Sequence, residues 1–252
     1  MRIAAAAVLV FIAAKAVAQD QNQNPDLINP DRPGIADGSR VIAPGQFQLE
    51  TGLQYERHDV DFLFVPTLVR VGALKPLEFR VEGNTLTHAN GQTGFAPISL
   101  GAKIALVQSD NGPTFGVIVR AFPPSGTSEF KDRHFTSDIR LTADIPLGEK
   151  FSLNPNAGAA RYEDNGQTYT AGVFALTFNY QPSARLNPFF DVGYLSSTGT
   201  GTAAAVTLDG GIAWIIGDDI QFDISVGQGV SGDAPRPFVS GGISIRLGRH
   251  SR

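Results

Sequence analysis

The sequence predicts an all-β protein, a closed antiparallel transmembrane β-barrel of about twelve strands. Three observations predict it. From Gly45 onward, apolar and polar residues alternate with a period of two in segment after segment, the mark of strands with two different faces. The segments are mostly about ten to fourteen residues long, whereas soluble strands have a mode near 5–6 and a barrel strand needs ~9–11 to cross a bilayer at its tilt. Compact turns also tend to alternate with longer polar connections, the layout of a barrel with turns on one rim and loops on the other. Composition agrees. With 28 glycines, 17 Phe, 16 prolines and a single Met in 252 residues, the chain is a poor candidate for a helical bundle.

Residues 1–18, MRIAAAAVLVFIAAKAVA, have the basic start, apolar run and small-residue triplet Ala16-Val17-Ala18 of a secretory signal peptide, with cleavage expected before Gln19. The apolar run Ile3 to Ala14 would span only ~18 Å as a helix, short of the ~30 Å hydrocarbon core. Residues 19–44 are polar, carry prolines and show no sustained period. They read as a periplasmic arm or a lumen plug, and the barrel domain follows over 45–252.

Strands are expected near 45–57, 60–72, 77–87, 96–108, 113–123, 134–146, 150–161, 168–181, 186–197, 203–216, 219–230 and 236–248. In GQFQLETGLQYER, Phe47, Leu49, Leu53 and Tyr55 oppose Gln46, Gln48, Glu50, Gln54 and Glu56. In DIQFDISVG, Ile220, Phe222, Ile224 and Val226 oppose Gln221, Asp223 and Ser225. The second segment is the least regular, because Phe62 and Phe64 fall on the opposite parity to Val65, Val69 and Val71; Pro66 is expected to mark a bulge that resets the register. Turns are expected at ALKP, SDNG, LGEK, PSAR and GDD, and longer loops at THANGQTG, PPSGTSEFKDRH, EDNGQ, STGTG and SGDAPRP.

Alternation alone leaves open which face is inside. A soluble sandwich would bury the apolar face, and a membrane barrel would turn it to lipid. Strand length, small residues such as Gly101, Gly116 and Gly211 on the polar face, and aromatics near segment ends favour the membrane. Those aromatics are Tyr55, Phe79, Phe151, Tyr162, Tyr180, Tyr194 and Trp214.

Asp31-Arg32-Pro33-Gly34, followed by VIAPGQFQLETGLQYER over 41–57, resembles the opening of a large family of Gram-negative outer-membrane proteins. These are labelled as transporters or as components of a meta-cleavage phenol-degradation pathway. The later cadence, PTLVRVGALKPLEFRVEGN, ISLGAKIAL and DIRLTADIPLGEKFSLNPNAG, extends the resemblance over 31–248. It implies a roughly twelve-stranded porin-like channel or transporter for small hydrophobic or aromatic compounds. The implied partners are outer-membrane lipid, a small-molecule solute and, during biogenesis, the barrel assembly machinery. One departure from the barrel pattern is the C-terminus, LGRHSR, where such proteins commonly end in an aromatic residue.

No enzyme, cofactor or metal site is expected. The chain has no cysteine, so a thiolate ligand or nucleophile is excluded. The histidines His58, His88, His134 and His250 have no metal-ligand spacing. His134 and Ser137, weighed as a lipid-hydrolase pair, would point to opposite faces of a strand. A net charge of −4 leaves no basic surplus for nucleic acid.

The candidate site is the polar face. In a barrel, Glu50, Glu78, Arg80, Glu82, Lys103, Arg120, Asp138, Arg140, Asp144, Asp191, Asp209, Asp223 and Arg246 line the lumen. Charges in a narrow lumen are costly unless paired or hydrated, so a ladder of cross-strand ion pairs is one expectation. A charged constriction tuning solute passage is the other, with acids outnumbering bases and so favouring cations or neutral molecules. The rival at the level of function is a closed-lumen barrel acting through its outer loops. Asp31 and Arg32 of the arm are placed to pair with lumen charges.

Overall fold

In the computed structural model the described residues are 27–248; the expected signal peptide and the start of the arm lie outside them. Among the described residues the strands are β1 (Phe47–Arg57), β2 (Asp61–Leu74), β3 (Leu77–Ala89), β4 (Gln92–Gly94), β5 (Ser99–Val107), β6 (Thr114–Phe122) and β7 (Thr136–Pro146). They continue with β8 (Phe151–Asp164), β9 (Gln167–Tyr180), β10 (Leu186–Leu195), β11 (Ala205–Ile215), β12 (Ile220–Ser231) and β13 (Phe238–Leu247). Each pairs antiparallel with its sequence neighbour, except that β3 pairs with β5 as well as with the three-residue β4. β13 returns to pair with β1 from Phe47↔Leu247 to Glu56↔Phe238. The ring of twelve long strands is therefore closed and offers no free edge.

The apolar face is outside. On β12, Ile220, Phe222, Ile224 and Val226 are exposed while Gln221, Asp223, Ser225 and Gly227 are buried. The largest fully buried side chains include Arg70, Arg80, Lys103, Gln48, Glu50 and Glu78, whereas Trp214 is 56% and Leu141 60% exposed. A soluble sandwich would show the reverse, so burial decides between the two architectures that alternation left open. No helix among the described residues is long and apolar enough to cross a membrane.

Three expectations need correction. The register shift at Pro66 lies between β2 and β3, and the extra residue is Thr85 of β3. β2 stays in unbroken register with β1 from Phe47↔Val71 to Arg57↔Asp61. Phe62, Phe64, Leu68 and Arg70 therefore share the inward parity, and no reset occurs on β2. Second, THANGQTG and EDNGQ are tight turns of continuing hairpins. Asn90-Gly91 (φ 51° and 71°) and Asn165-Gly166 (φ 50° and 76°) are left-handed at both centres, the conformation whose twist matches flanking strands. Third, Tyr162 does not join an outer girdle. It pairs across the ladder with Tyr169, ring centroids 5.7 Å apart, on the inward parity of Asn156 and Ala160. Phe79, Phe151, Tyr180 and Trp214 do face outward near the rim of short turns, and Phe151 stacks on Tyr180 at 5.0 Å.

Candidate functional site in the barrel lumen

Residues 27–44 occupy the interior. The segment cannot build a sheet of its own, because three prolines and the absence of any period leave its backbone groups without a ladder. Those groups find partners on the wall instead. Ile28 N–H donates to the Asp218 carbonyl in the β11–β12 turn (2.7 Å), and Gly45 N–H donates to Gly72 near the β2–β3 turn (3.0 Å). Both ends thus lie at the rim of short turns. Between them the chain rises, bends near Pro33–Asp37 and returns.

On the rising limb, the N–H groups of Asp31 and Arg32 donate to Glu50 Oε2 at 3.0 and 2.9 Å. The Arg32 guanidinium meets Asp223 Oδ1 at 2.9 Å and Ser240 Oγ at 3.1 Å. Its slot exists because two facing wall residues are glycine. A Cβ on Gly242 would sit 2.5 Å from Arg32 Nε, and one on Gly52 would sit 2.8 Å from Arg32 Nη2. At the bend, Ile35 N–H donates to Asp191 Oδ2 (2.9 Å), and Asp37 exchanges two 2.9 Å backbone bonds with the Asn156 amide. On the returning limb, Ser39 Oγ donates to Asp144 Oδ2 (2.7 Å) and Ile42 N–H to Glu78 Oε2 (2.9 Å). Arg70 binds both limbs, donating to the carbonyls of Asn29 (3.0 Å) and Arg40 (3.1 Å).

All the predicted lumen residues but Arg246 fall into two groups. Glu50, Glu78, Arg80, Glu82, Lys103, Arg120, Asp138 and Arg140 form one continuous ion-pair network on β1–β7, joined by Arg70 and the loop's Asp31 and Asp37. Arg70 donates to both oxygens of Glu78 (2.9 and 2.8 Å) and to Glu50 (3.1 Å). Arg80 meets Asp31 at 2.6 Å, Asp37 at 3.1 Å and Glu82 at 3.3 Å. Lys103 Nζ reaches Asp31 at 2.8 Å. Arg120 bridges Glu82 and Asp138, both at 2.9 Å, and Arg140 meets Asp138 at 2.9 Å.

The other group is acidic. Asp144 accepts from Ser39, Thr114 and Asn154. Asp191 and Asp209 oppose each other directly across β10 and β11, and Asp223 is matched by Arg32 of the loop. Arg246 sits apart at the turn rim, against Asp219 at 2.7 Å. Like charges opposed across a ladder destabilise a pair; Arg70 and Arg80 oppose each other in the same way across β2 and β3, but there the carboxylates of Glu78 and Asp31 contact both. The acid excess foreseen from the sequence is thus concentrated on one side of the lumen, facing a side where most of the bases gather.

Burial pushes the Asp31 carboxyl upward, but the cations of Arg70, Lys103 and Arg80 outweigh it and leave the group well below the ordinary carboxylate value. Asp37 is lowered likewise, burial being overcome by Arg80 and Arg120.

Sequence reasoning missed Arg70. Its signal was present: Val69-Arg70-Val71 has the same apolar–Arg–apolar form as Phe79-Arg80-Val81 and Ile139-Arg140-Leu141. It also missed the amide row of Asn154, Asn179 and Asn187, which are bonded in sequence across β8–β10. That row lines a cavity of 760 Å³ between the loop and the β7–β11 side of the turn rim. His134, considered with Ser137, instead meets Glu163 Oε2 at 3.0 Å among the outer loops. Among the described residues no group of three or more His, Asp or Glu side chains is arranged to hold a metal.

The family model described as "Putative MetA-pathway of phenol degradation" matches residues 30–247, loop and barrel together. The chain belongs to this family. No curated protein matches it in sequence. Among solved structures, the COG4313 outer membrane channel from Pseudomonas putida F1 is similar over 87% of this chain and 100% of its own, at 11% identity and a TM-score of 0.67. The KdgM porin is similar over 78% of this chain and 98% of its own, at 10% identity and a TM-score of 0.55. The NanC porin is similar over 80% of this chain and 100% of its own, at 12% identity and a TM-score of 0.54. At such identities the likeness establishes the fold: this family member is a closed antiparallel β-barrel like those of the outer-membrane channels it resembles.

Proposed function

We propose that the chain is an outer-membrane channel for small hydrophobic or aromatic molecules, held shut by its own residues 27–44. The observation that carries the reading is the filled lumen: side-chain and backbone bonds to nearly every long strand hold a loop that belongs to no sheet. A structural barrel has no need of a removable filling, since a closed lumen is built more simply from wall side chains. The solute class is supported by the family description and by the lining toward the loop rim. There the inward positions include Phe62, Phe64, Tyr162, Val173 and Phe238, beside polar ones such as Gln54, Glu56 and Thr87. The thirteen lumen charges foreseen from the sequence act in this reading as the seat of the loop and the lining of the path.

The mature chain begins at Gln19 in this reading, is inserted by the barrel assembly machinery and meets outer-membrane lipid with its apolar face. The test is deletion of residues 27–40, assayed in planar bilayers and by liposome swelling with phenol-sized solutes. Conductance and swelling rise well above those of the full chain. No rise would mean that the wall side chains alone close the lumen, and that result would overturn the channel.

A further inference from the structure

Asp31 sits in a receptor made by the barrel wall. Its Oδ2 lies 2.6 Å from Arg80 Nη1 and 3.8 Å from Arg70 Nη1, and its two oxygens both lie 2.8 Å from Lys103 Nζ. These three cations come from β2, β3 and β5, and their side chains are at most 1% exposed. The wall supplies three carboxylates to them, of which Glu82, 3.3 Å from Arg80, is shared with Arg120. Glu78 is held by Arg70 at 2.8 Å and lies 3.6 Å from Arg80, and Glu50 is held by Arg70 at 3.1 Å. Over the whole network the wall sets five cations, Arg70, Arg80, Lys103, Arg120 and Arg140, against four carboxylates, Glu50, Glu78, Glu82 and Asp138, which leaves a positive excess that the loop's Asp31 and Asp37 meet, Asp31 being the one in contact with Arg70, Arg80 and Lys103 together.

An uncompensated buried cation is costly, so the emptied site has a strong demand for one anion. Its geometry selects the kind. Donors from a guanidinium and an ammonium converge on both oxygens of a planar carboxylate, which a neutral hydroxyl or amide cannot satisfy. Asp31 makes no turn and caps no helix; its Oδ1 also accepts the Gly38 N–H at 3.0 Å, which ties the two limbs of the loop together.

We propose that Arg70, Arg80 and Lys103 form a carboxylate-binding site in the lumen, filled in this structure by Asp31 and taken by a small organic acid when the loop leaves. The inference deepens the channel reading and rests on it for the departure of the loop. It names the solute class as a monocarboxylate with a small apolar body. Such a solute competes with Asp31, so its binding favours the open lumen.

The test uses the full mature chain in detergent, with benzoate as the probe and benzamide as its neutral counterpart, by titration calorimetry. Asp31→Asn binds benzoate at least about tenfold more tightly than the unsubstituted chain, because one charge-assisted contact set is worth about 1.5–3 kcal/mol and each 1.4 kcal/mol is a factor of ten. Benzamide does not bind in this range. Adding Lys103→Met or Arg80→Gln to Asp31→Asn removes the gain, with the heat-dependent shift in SDS confirming an intact barrel. Equal binding of benzoate and benzamide to Asp31→Asn overturns the site, and that comparison needs no wall substitution. Equal benzoate affinity with and without Asp31 overturns it too. The channel reading fails separately: if deletion of the loop leaves conductance unchanged while benzoate still binds, the site stands and the channel does not.

Discussion

Replacing Arg32 with alanine tests the loop where its hold on the acidic wall is concentrated. The guanidinium lies 2.9 Å from Asp223 Oδ1, with side-chain exposures of 14% and 0%. It also donates to Ser240 at 3.1 Å from within the slot left by Gly52 and Gly242. Removing one partner of a buried pair typically costs about 3–5 kcal/mol, because the other charge is left without compensation. Here water can follow the loop out and hydrate Asp223, so the lower end of that range applies. At 1.4 kcal/mol per factor of ten, about 3 kcal/mol shifts the balance between docked and released loop roughly a hundredfold. Single-channel recording reads this directly as the fraction of time spent open. Barrel stability is unaffected, since Arg32 belongs to no strand, and the temperature of the SDS mobility shift stays where it was. An unchanged open fraction in Arg32→Ala, alongside free conduction after deletion of 27–40, would refute the assignment of this pair as a latch.

Other predictions follow from neighbouring features. Gly242→Val fills the Arg32 slot from the wall side, and its open fraction rises as in Arg32→Ala; planar-bilayer recording checks it, and a tightly closed variant would contradict the slot. Lowering pH from 7 to 5 does not open the unsubstituted channel through Asp31 or Asp37. A carboxylate depressed in the folded state adds stability that is present above its unfolded value and lost only as pH falls through the folded one, here far below pH 5. A conductance rise at pH 5 that disappears in Asp31→Asn would show the group titrating where it is not expected to. Ile224→Arg places a charge on the lipid face near the middle of β12 and destabilises the barrel by about 2–4 kcal/mol, read from urea unfolding in vesicles; no loss would mean that this face does not meet lipid.

Much of the barrel was legible because its strands carry period-two patterning on faces of opposite chemistry. β12 is the clearest case: every apolar residue from Ile220 to Val226 is outside and every polar one inside. Reading failed where the pattern depended on a neighbouring strand. On β2 the inward side holds Phe62, Phe64 and Leu68 before reaching Arg70, so polarity could not mark the face, and the bulge that explains β3 lies at Thr85, opposite Pro66. The lumen charges could be named from parity alone, but their grouping into an ion-pair network on one wall and acids that face the loop on the other depends on barrel closure. The loop was the least legible part. Its residues have no periodicity to read, and their order is set by partners as distant in sequence as Asp191 and Asp223.

Because residues 27 and 44 both end at the same rim, the loop can be withdrawn as a doubled strand, without any chain end passing through the ring. No rung of the barrel need break when it goes, and none need re-form when it comes back. If the loop leaves as proposed, it gives up its attachments to the wall and not the fold of the barrel. The force, if one is applied, has only one side from which to act. A pull on the residues preceding Leu27 draws first on Ile28 at the β11–β12 turn, then on the bonds to Arg70 and Glu50, and on the latch at Asp223, peeling the contacts of the rising limb in succession. Attachments loaded one after another yield to a far smaller force than the same set loaded together, which makes this lumen easy to clear from the rim of short turns and hard to clear from the rim of long loops.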